Sequence, residues 1–296
     1  MKLKIEDGKI GFLYIIIASV LFALAAPSAK YLFQQGITPI DLVQARISYS
    51  LIVMLPLLSV FQPSLLKIQR KDIPYFILLG IGGLALVQYT YFLAISLIDV
   101  GVALALQYTA PSIIVVYGVI VLGDRVQLKT VCAILLALFG CYLLVGAYKV
   151  GADALNWKGI LIALASAISL AFYTLYGKKG LTKYSPWTTF FYAALFATLF
   201  WNIIHPPLVL VGQGLNLNIW LLVFYVSILG TLLPFSLLLF SLDKLDPVSV
   251  TVTSTLEPIF ATISAFLLLG ERPSLWQMIG GFFIIASIIL MTFKKK

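Results

Sequence analysis

What most limits the fold of this chain is a succession of apolar runs, each about as long as a bilayer is thick. The hydrocarbon core of a membrane is about 30 Å across, and a helix rising 1.5 Å per residue crosses it with roughly 20 apolar residues. Ten such runs can be placed, at about 10–32, 39–61, 73–97, 100–122, 127–147, 158–178, 187–205, 218–241, 247–269 and 273–293. Composition argues against a soluble fold. Of 296 residues, 61% are hydrophobic and 10% charged, against roughly 45–50% and about 25% in soluble domains. The expected fold is therefore an all-α membrane protein of ten transmembrane helices. The least marked division lies within 184–242, where His205 is the sole residue that can carry charge. It is placed at His205-Pro206-Pro207 and the polar GQGLNLN that follows, because Pro and Gly/Asn clusters mark loops.

The net charge of +9 would suggest nucleic acid in a soluble chain. Here the cations sit in short clusters between apolar runs, so they read as topology signals and no nucleic acid is expected. With the N-terminus inside, the inside segments hold Lys2, Lys4, Lys9, Lys67, Arg70, Lys71, Arg125, Lys129, Lys178, Lys179, Lys183, Lys244 and Lys294 to Lys296, fifteen in all. The outside segments hold four, namely Lys30, Lys149, Lys158 and Arg272. Cytoplasmic loops attract Lys and Arg. The asymmetry predicts a multi-pass protein of the cell membrane with both termini cytoplasmic. The opening MKLKIEDGKI and Ala23-Leu24-Ala25 also resemble a signal peptide, but the repeat described next argues that the segment is retained.

VLGDRVQL (121–128) answers LLGERPSL (268–275) at an offset of 147 residues. At that offset Asp99 matches Asp246, Ala110-Pro111 matches Glu257-Pro258, and Thr38-Pro39 matches Ser185-Pro186. Gly11 with Gly159, and Ala23 with Ala171, match at an offset of 148. The register predicts a duplication with halves 1–148 and 149–296 and five spans in each. Five is odd, so the second half enters the membrane upside down. Inverted repeats of this kind are common among secondary transporters, with the substrate near the midplane between the halves.

Ten spans in two sets of five, LGDR and LGER closing the fourth and ninth, Leu256-Glu257-Pro258 in the ninth and Arg46 in the second together resemble the drug/metabolite transporter superfamily, EamA type. The resemblance implies export, or sometimes import, of small metabolites such as amino acids. It also implies a central cavity lined by spans one, three and four with six, eight and nine.

Glu257 is the sharpest local signal. It lies mid-span, where a charge costs about 2.5–3.5 kcal/mol on insertion scales. Val250, Thr253, Ser254, Ala261 and Ser264 share its face at spacings of three, four and seven, so that face is expected to be small and partly polar. Pro258 removes a backbone donor and loosens the helix, which is tolerated where the helix lines water or protein. Glu257 either binds a substrate ammonium group, or titrates in proton coupling, or is a structural carboxylate held by hydroxyls or Arg. Pro111 and Pro258 are the expected hinges. In the first half Gln107, with Tyr108 beside it, is expected to supply an amide contact, or else a helix–helix hydrogen bond. Gln88 and Tyr91 share a face that either lines the cavity or binds another helix. Tyr173, with Thr174 and Tyr176, reads the same way, and Ser227 and Thr231 are weaker candidates. Arg46 lies roughly 10 Å into its span at 1.5 Å per residue. It is either an anchor that snorkels or the charge partner of Glu257 or of a substrate carboxylate.

Other chemistry is not signalled. GIGGLA (80–85) matches a dinucleotide fingerprint but lacks the βαβ context, and its glycines read as helix-packing positions. Cys132 and Cys141 fall on nearly opposite helix faces and read as packing residues, with no metal spacing. His205 reads as a loop residue. No cofactor is expected, nor an enzyme, since no nucleophile, base and metal are grouped. The expected partners are a small-molecule substrate and the lipid bilayer, and the oligomeric state stays open. The alternatives are an antiporter of sugar phosphates or nucleotide sugars, disfavoured because only Arg46 and Lys30 could face an anion, a channel, or a non-transporting membrane sensor or scaffold, which would move no solute.

Overall fold

The computed structural model describes residues 2–149, 156–205, 209–212, 214–269 and 272–292, and among these all regular structure is helical. Helix α1 (Lys2–Gln34) leads through a tight turn into α2 (Pro39–Phe61). After two 3-10 turns, α3 (Ile73–Leu78), a π-helical stretch Leu79–Ala85 and α4 (Leu86–Leu97) run on in succession. Helices α5 (Val100–Gln107) and α6 (Ala110–Tyr117) follow, the latter extended by a π turn, and then α7 (Leu128–Leu144). The rest of the chain holds α8 (Trp157–Gly180), α9 (Pro186–Ile204), the short α10 (Val209–Gly212) and α11 (Leu217–Ser227). A further π stretch, Ile228–Leu232, joins α11 to α12 (Leu233–Lys244). Last come α13 (Pro247–Ser254), α14 (Glu257–Leu269) and α15 (Leu275–Thr292).

Eight of these continuous stretches are long and apolar enough to cross a membrane. The 17-residue α7 and the interrupted pair α13–α14 are shorter as unbroken helices. The Gly270-Glu271 turn, Pro206-Pro207 and the terminal Lys294 to Lys296 lie outside the described residues.

The residues that recur at the 147 offset start matched helices. Thr38 and Ser185 are the N-caps of α2 and α9, each followed by proline at the first helical position. Their hydroxyls accept from the backbone N–H of Asp41 and Thr188 at 3.3 and 3.1 Å. Such caps satisfy donors that a helix start leaves orphaned. Asp99 and Asp246 cap α5 and α13 in the same manner.

The helix interruptions match too. Proline clashes with the carbonyl four residues before it. The residues four before Pro111 and Pro258 are Gln107 and Ser254, where α5 and α13 end. The interruption at Thr255-Leu256 corrects the expectation of a continuous face around Glu257. Val250 and Thr253 belong to a different helix from Ala261 and Ser264, and both are fully buried. Only Ser254 joins Glu257 at the cavity described below.

Helix α1 packs on α12, α4 on α8, α2 on α9, and α7 on α15. The GIGGLA glycines lie in the first π stretch, where the Gly80 backbone sits against the Ala193 carbonyl of α9, a packing role. Cys141 is buried and Cys132 exposed, so they face apart.

Candidate functional site

Between these helices lies a partly open cavity of about 70 Å³. One water needs roughly 10–15 Å³, so the space admits a few waters or a compact polar head group. Its wall is drawn from α1, α2, α4, α5, α8, α12, α13 and α14, with Tyr108 from the turn between α5 and α6. These include spans one, three and four and six, eight and nine, joined by Arg46 from the second. Phe22, Phe92, Leu170, Phe235 and Leu238 supply the apolar surface.

Glu257 opens α14 at one side of the cavity and is only 8% exposed. The Tyr108 hydroxyl donates to its Oε2 at 2.7 Å. The contact joins the two helix interruptions, one from each half of the sequence repeat. A buried carboxylate without such a donor would bear its whole desolvation cost. Oε1 accepts no hydrogen bond from the described residues.

Arg46 does not snorkel. Its side chain is buried and turned inward. Nε donates to Thr231 Oγ1 at 2.8 Å, Nη2 donates to the Gly230 carbonyl at 2.6 Å, and the guanidinium lies 4.4 Å over the Phe92 ring. Both acceptors lie in the π stretch Ile228–Leu232, where shifted hydrogen bonding leaves a backbone carbonyl such as that of Gly230 open to a side-chain donor. A Cβ at Gly230 would stand 3.2 Å from Nη2 and 2.7 Å from the Ala25 Cβ, so glycine there admits both the arginine and α1. Nη1 has no partner. Arg46 and Glu257 line the same cavity but form no direct ion pair.

Gln88 and Tyr91 are brought together on the cavity wall from α4, with the Gln88 Nε2 and Tyr91 hydroxyl buried and unpartnered. Their neighbours diverge: Tyr89 packs on Trp201 and Thr90 bonds its own helix at the Leu86 carbonyl. Gln107 lines the cavity and donates to Ser166 Oγ of α8 at 2.6 Å, a helix–helix hydrogen bond. Tyr173 is not brought to the cavity. It is fully buried, packed edge-on against Phe235, because Gly83 leaves room for its ring. Thr174 bonds back to Leu170, and Tyr176 stacks on Tyr75.

Two polar clusters away from the cavity escaped the sequence reading. His205 is not a free loop residue. It caps the end of α9, and its Nε2 lies 2.7 Å from Asp41 Oδ1, while Gln44 donates to Asn202 and to the His205 carbonyl at 2.7 Å each. The second cluster joins the loop before α3 to the loop before α9. Lys183 and Tyr184 both meet the Asp72 carboxylate, and Lys183 donates to Gln69 at 2.8 Å. The Asp72 hydrogen bond, more than its charge, raises the Lys183 ammonium above the usual lysine range.

A model of the EamA-like transporter family matches this chain twice, over residues 9–146 and 157–293. The chain belongs to the EamA-like transporter family. As a member it is a multi-pass membrane transporter. An EamA relative, the uncharacterized inner membrane transporter YicL of Salmonella typhimurium, is 25% identical over 97% of this chain and 96% of its own length. The threonine/homoserine exporter RhtA of the same species is 25% identical over 88% of this chain and 83% of its own. A solved crystal structure superposes with a TM-score of 0.74 at 22% identity, covering 97% of this chain and 96% of that one, which establishes the likeness of fold.

Proposed function

We propose that this chain is a secondary transporter that exports small metabolites such as amino acids by alternating access. The observation behind this reading is the cavity between the helices, which holds an acid and a base without a direct ion pair between them and is flanked by a proline-induced helix interruption in each half of the repeat. Broken helices at corresponding positions of a repeated transporter fold are a pointer to the binding site. In this reading residues 1–148 and 149–296 are inverted five-helix halves making ten transmembrane helices. Both termini are cytoplasmic, as the distribution of Lys and Arg favours. The halves rock about hinges at Pro111 and Pro258. Glu257 binds the solute and is the residue through which proton entry could drive its exit. The threonine/homoserine exporter among the relatives supports amino acids as the first solutes to try.

The test is flux. Proteoliposomes loaded with labelled threonine or homoserine should release it faster than protein-free liposomes, and Glu257→Gln should slow release or abolish its pH dependence. Absence of threonine and homoserine flux in protein that moves other metabolites would overturn the amino-acid assignment. Unchanged flux and pH dependence in Glu257→Gln would remove Glu257 from the mechanism.

A further inference from the structure

We propose that the cavity reads its solute as a zwitterion, with Arg46 holding the carboxylate end and Glu257 the ammonium end. This rests on the amino-acid reading above and adds to it which group meets which pole.

Unpartnered donors and a free acceptor oxygen belong to residues that share this one cavity. Arg46, Gln88 and Tyr91 line the cavity, and the arginine Nη1, glutamine Nε2 and tyrosine hydroxyl are buried without partners. Nη1 and Nε2 can only donate and the Tyr91 hydroxyl can join them as a third donor, a set that suits an anionic acceptor. The remaining guanidinium edges are already held by Thr231 and Gly230, so the orientation of Nη1 is fixed before a solute arrives. Glu257 presents the opposite chemistry. Tyr108 occupies Oε2 and Oε1 is left as an acceptor, which suits an ammonium group.

Electrostatics then select the solute. A buried charge left unpaired is costly, and so is an unpaired buried donor. A cation alone would satisfy Glu257 and leave Arg46 uncompensated. An anion alone would do the reverse. A neutral polar molecule would compensate neither. A solute carrying both charges a few bonds apart satisfies both poles and enters the low-dielectric space with no net charge.

The test uses the purified full chain and three probes that share one skeleton: L-threonine, its methyl ester without the carboxylate, and 2,3-dihydroxybutyrate with hydroxyl in place of ammonium. Ligands that bind the folded form raise its unfolding temperature. Threonine should do so at roughly 10–100-fold lower concentration than either analogue, the range for a lost charge-assisted hydrogen bond. Arg46→Gln should erase the preference for threonine over the ester and keep that over the hydroxy acid. Glu257→Gln should do the converse. A crossed pattern of this kind does not arise from general destabilisation, and the wild-type comparison decides the matter even if a variant fails to fold. Equal binding of all three probes by wild type would overturn the proposal while leaving amino-acid transport standing. Variants that weaken all three probes equally would also overturn it. If threonine and homoserine neither bind nor move, the amino-acid reading falls and this inference with it.

Discussion

The Tyr108 hydroxyl donates to Glu257 Oε2 at 2.7 Å across the interface between the two sequence halves. Tyr108 stands in the turn that ends α5, and Glu257 starts α14. Any motion that separates the two interruptions must break this bond.

Tyr108→Phe should therefore lower stability by about 1–3 kcal/mol, since a buried acceptor loses its donor. Combining it with Glu257→Gln in detergent unfolding should show a coupling above about 0.5 kcal/mol, the scatter for independent sites. Additive effects would mean the contact contributes nothing.

Arg46 is held from two directions by a planar fork that lysine lacks. Thr231→Val removes one hydrogen bond to a charged group, worth about 1.5–3 kcal/mol. Arg46→Lys keeps the charge and loses the shape, and should lower the unfolding midpoint further than Thr231→Val. A smaller drop would show that charge alone matters at this position.

Pro111→Ala and Pro258→Ala each remove a ring clash and restore a backbone donor, a difference of about 3 kcal/mol within a helix. If the interruptions are hinges, both variants should unfold at equal or higher temperature and transport more slowly. Faster transport in the stabilised protein would exclude a hinge role.

Much of this arrangement is legible in the sequence, because its signals are local. Run length sets the rods, Thr38-Pro39 and Ser185-Pro186 mark matched helix starts, and prolines announce the interruptions. Gln88 and Tyr91 could be paired because they lie one turn apart on one helix. What stayed hidden depends on contacts between distant segments. Arg46 looked shallow by depth alone, and only the π stretch carrying Gly230 and Thr231 gives it acceptors inside. Tyr173 sits in a polar run, yet its direction is fixed by Gly83 on another helix. The Asp41–His205 contact spans 164 positions, and no periodicity reports on such a distance.

Asp72, Lys183 and Tyr184 tie a loop of the first half to one of the second. Lys183 gains an elevated pKa from Asp72. Its share of the contact is complete below the ordinary lysine value, about 10.4, and fades only as pH climbs through the raised one. At neutral pH the tie holds. Asp72→Asn should leave the unfolding temperature nearly unchanged, because the site is exposed and such pairs add little. It should instead speed maleimide labelling of a Ser254→Cys probe at the cavity, with Cys132 and Cys141 replaced. Equal labelling would show that the tie does not guard the cavity.

The α7–α15 seam gives a paired control. A Cβ at Gly280 would lie 2.6 Å from the Gly140 carbonyl, while one at Gly281 would meet nothing within 4 Å. Gly280→Ala should destabilise by about 1–3 kcal/mol through overpacking. Gly281→Ala should be neutral or gain up to about 1 kcal/mol from helix propensity. Thermal unfolding of the two variants compares them directly, and equal midpoints would contradict the seam.

The π stretches at Leu79–Ala85 and Ile228–Leu232 end at residues one repeat offset apart. Each widened turn takes up a surplus residue, and a residue turns a helix by about 100°. The surplus residue ahead of Gln88 and Tyr91 therefore helps to set the direction in which both side chains point. Deleting one amino acid from 79–85 would swivel both side chains off the cavity wall while leaving the hydropathy profile of the span almost untouched.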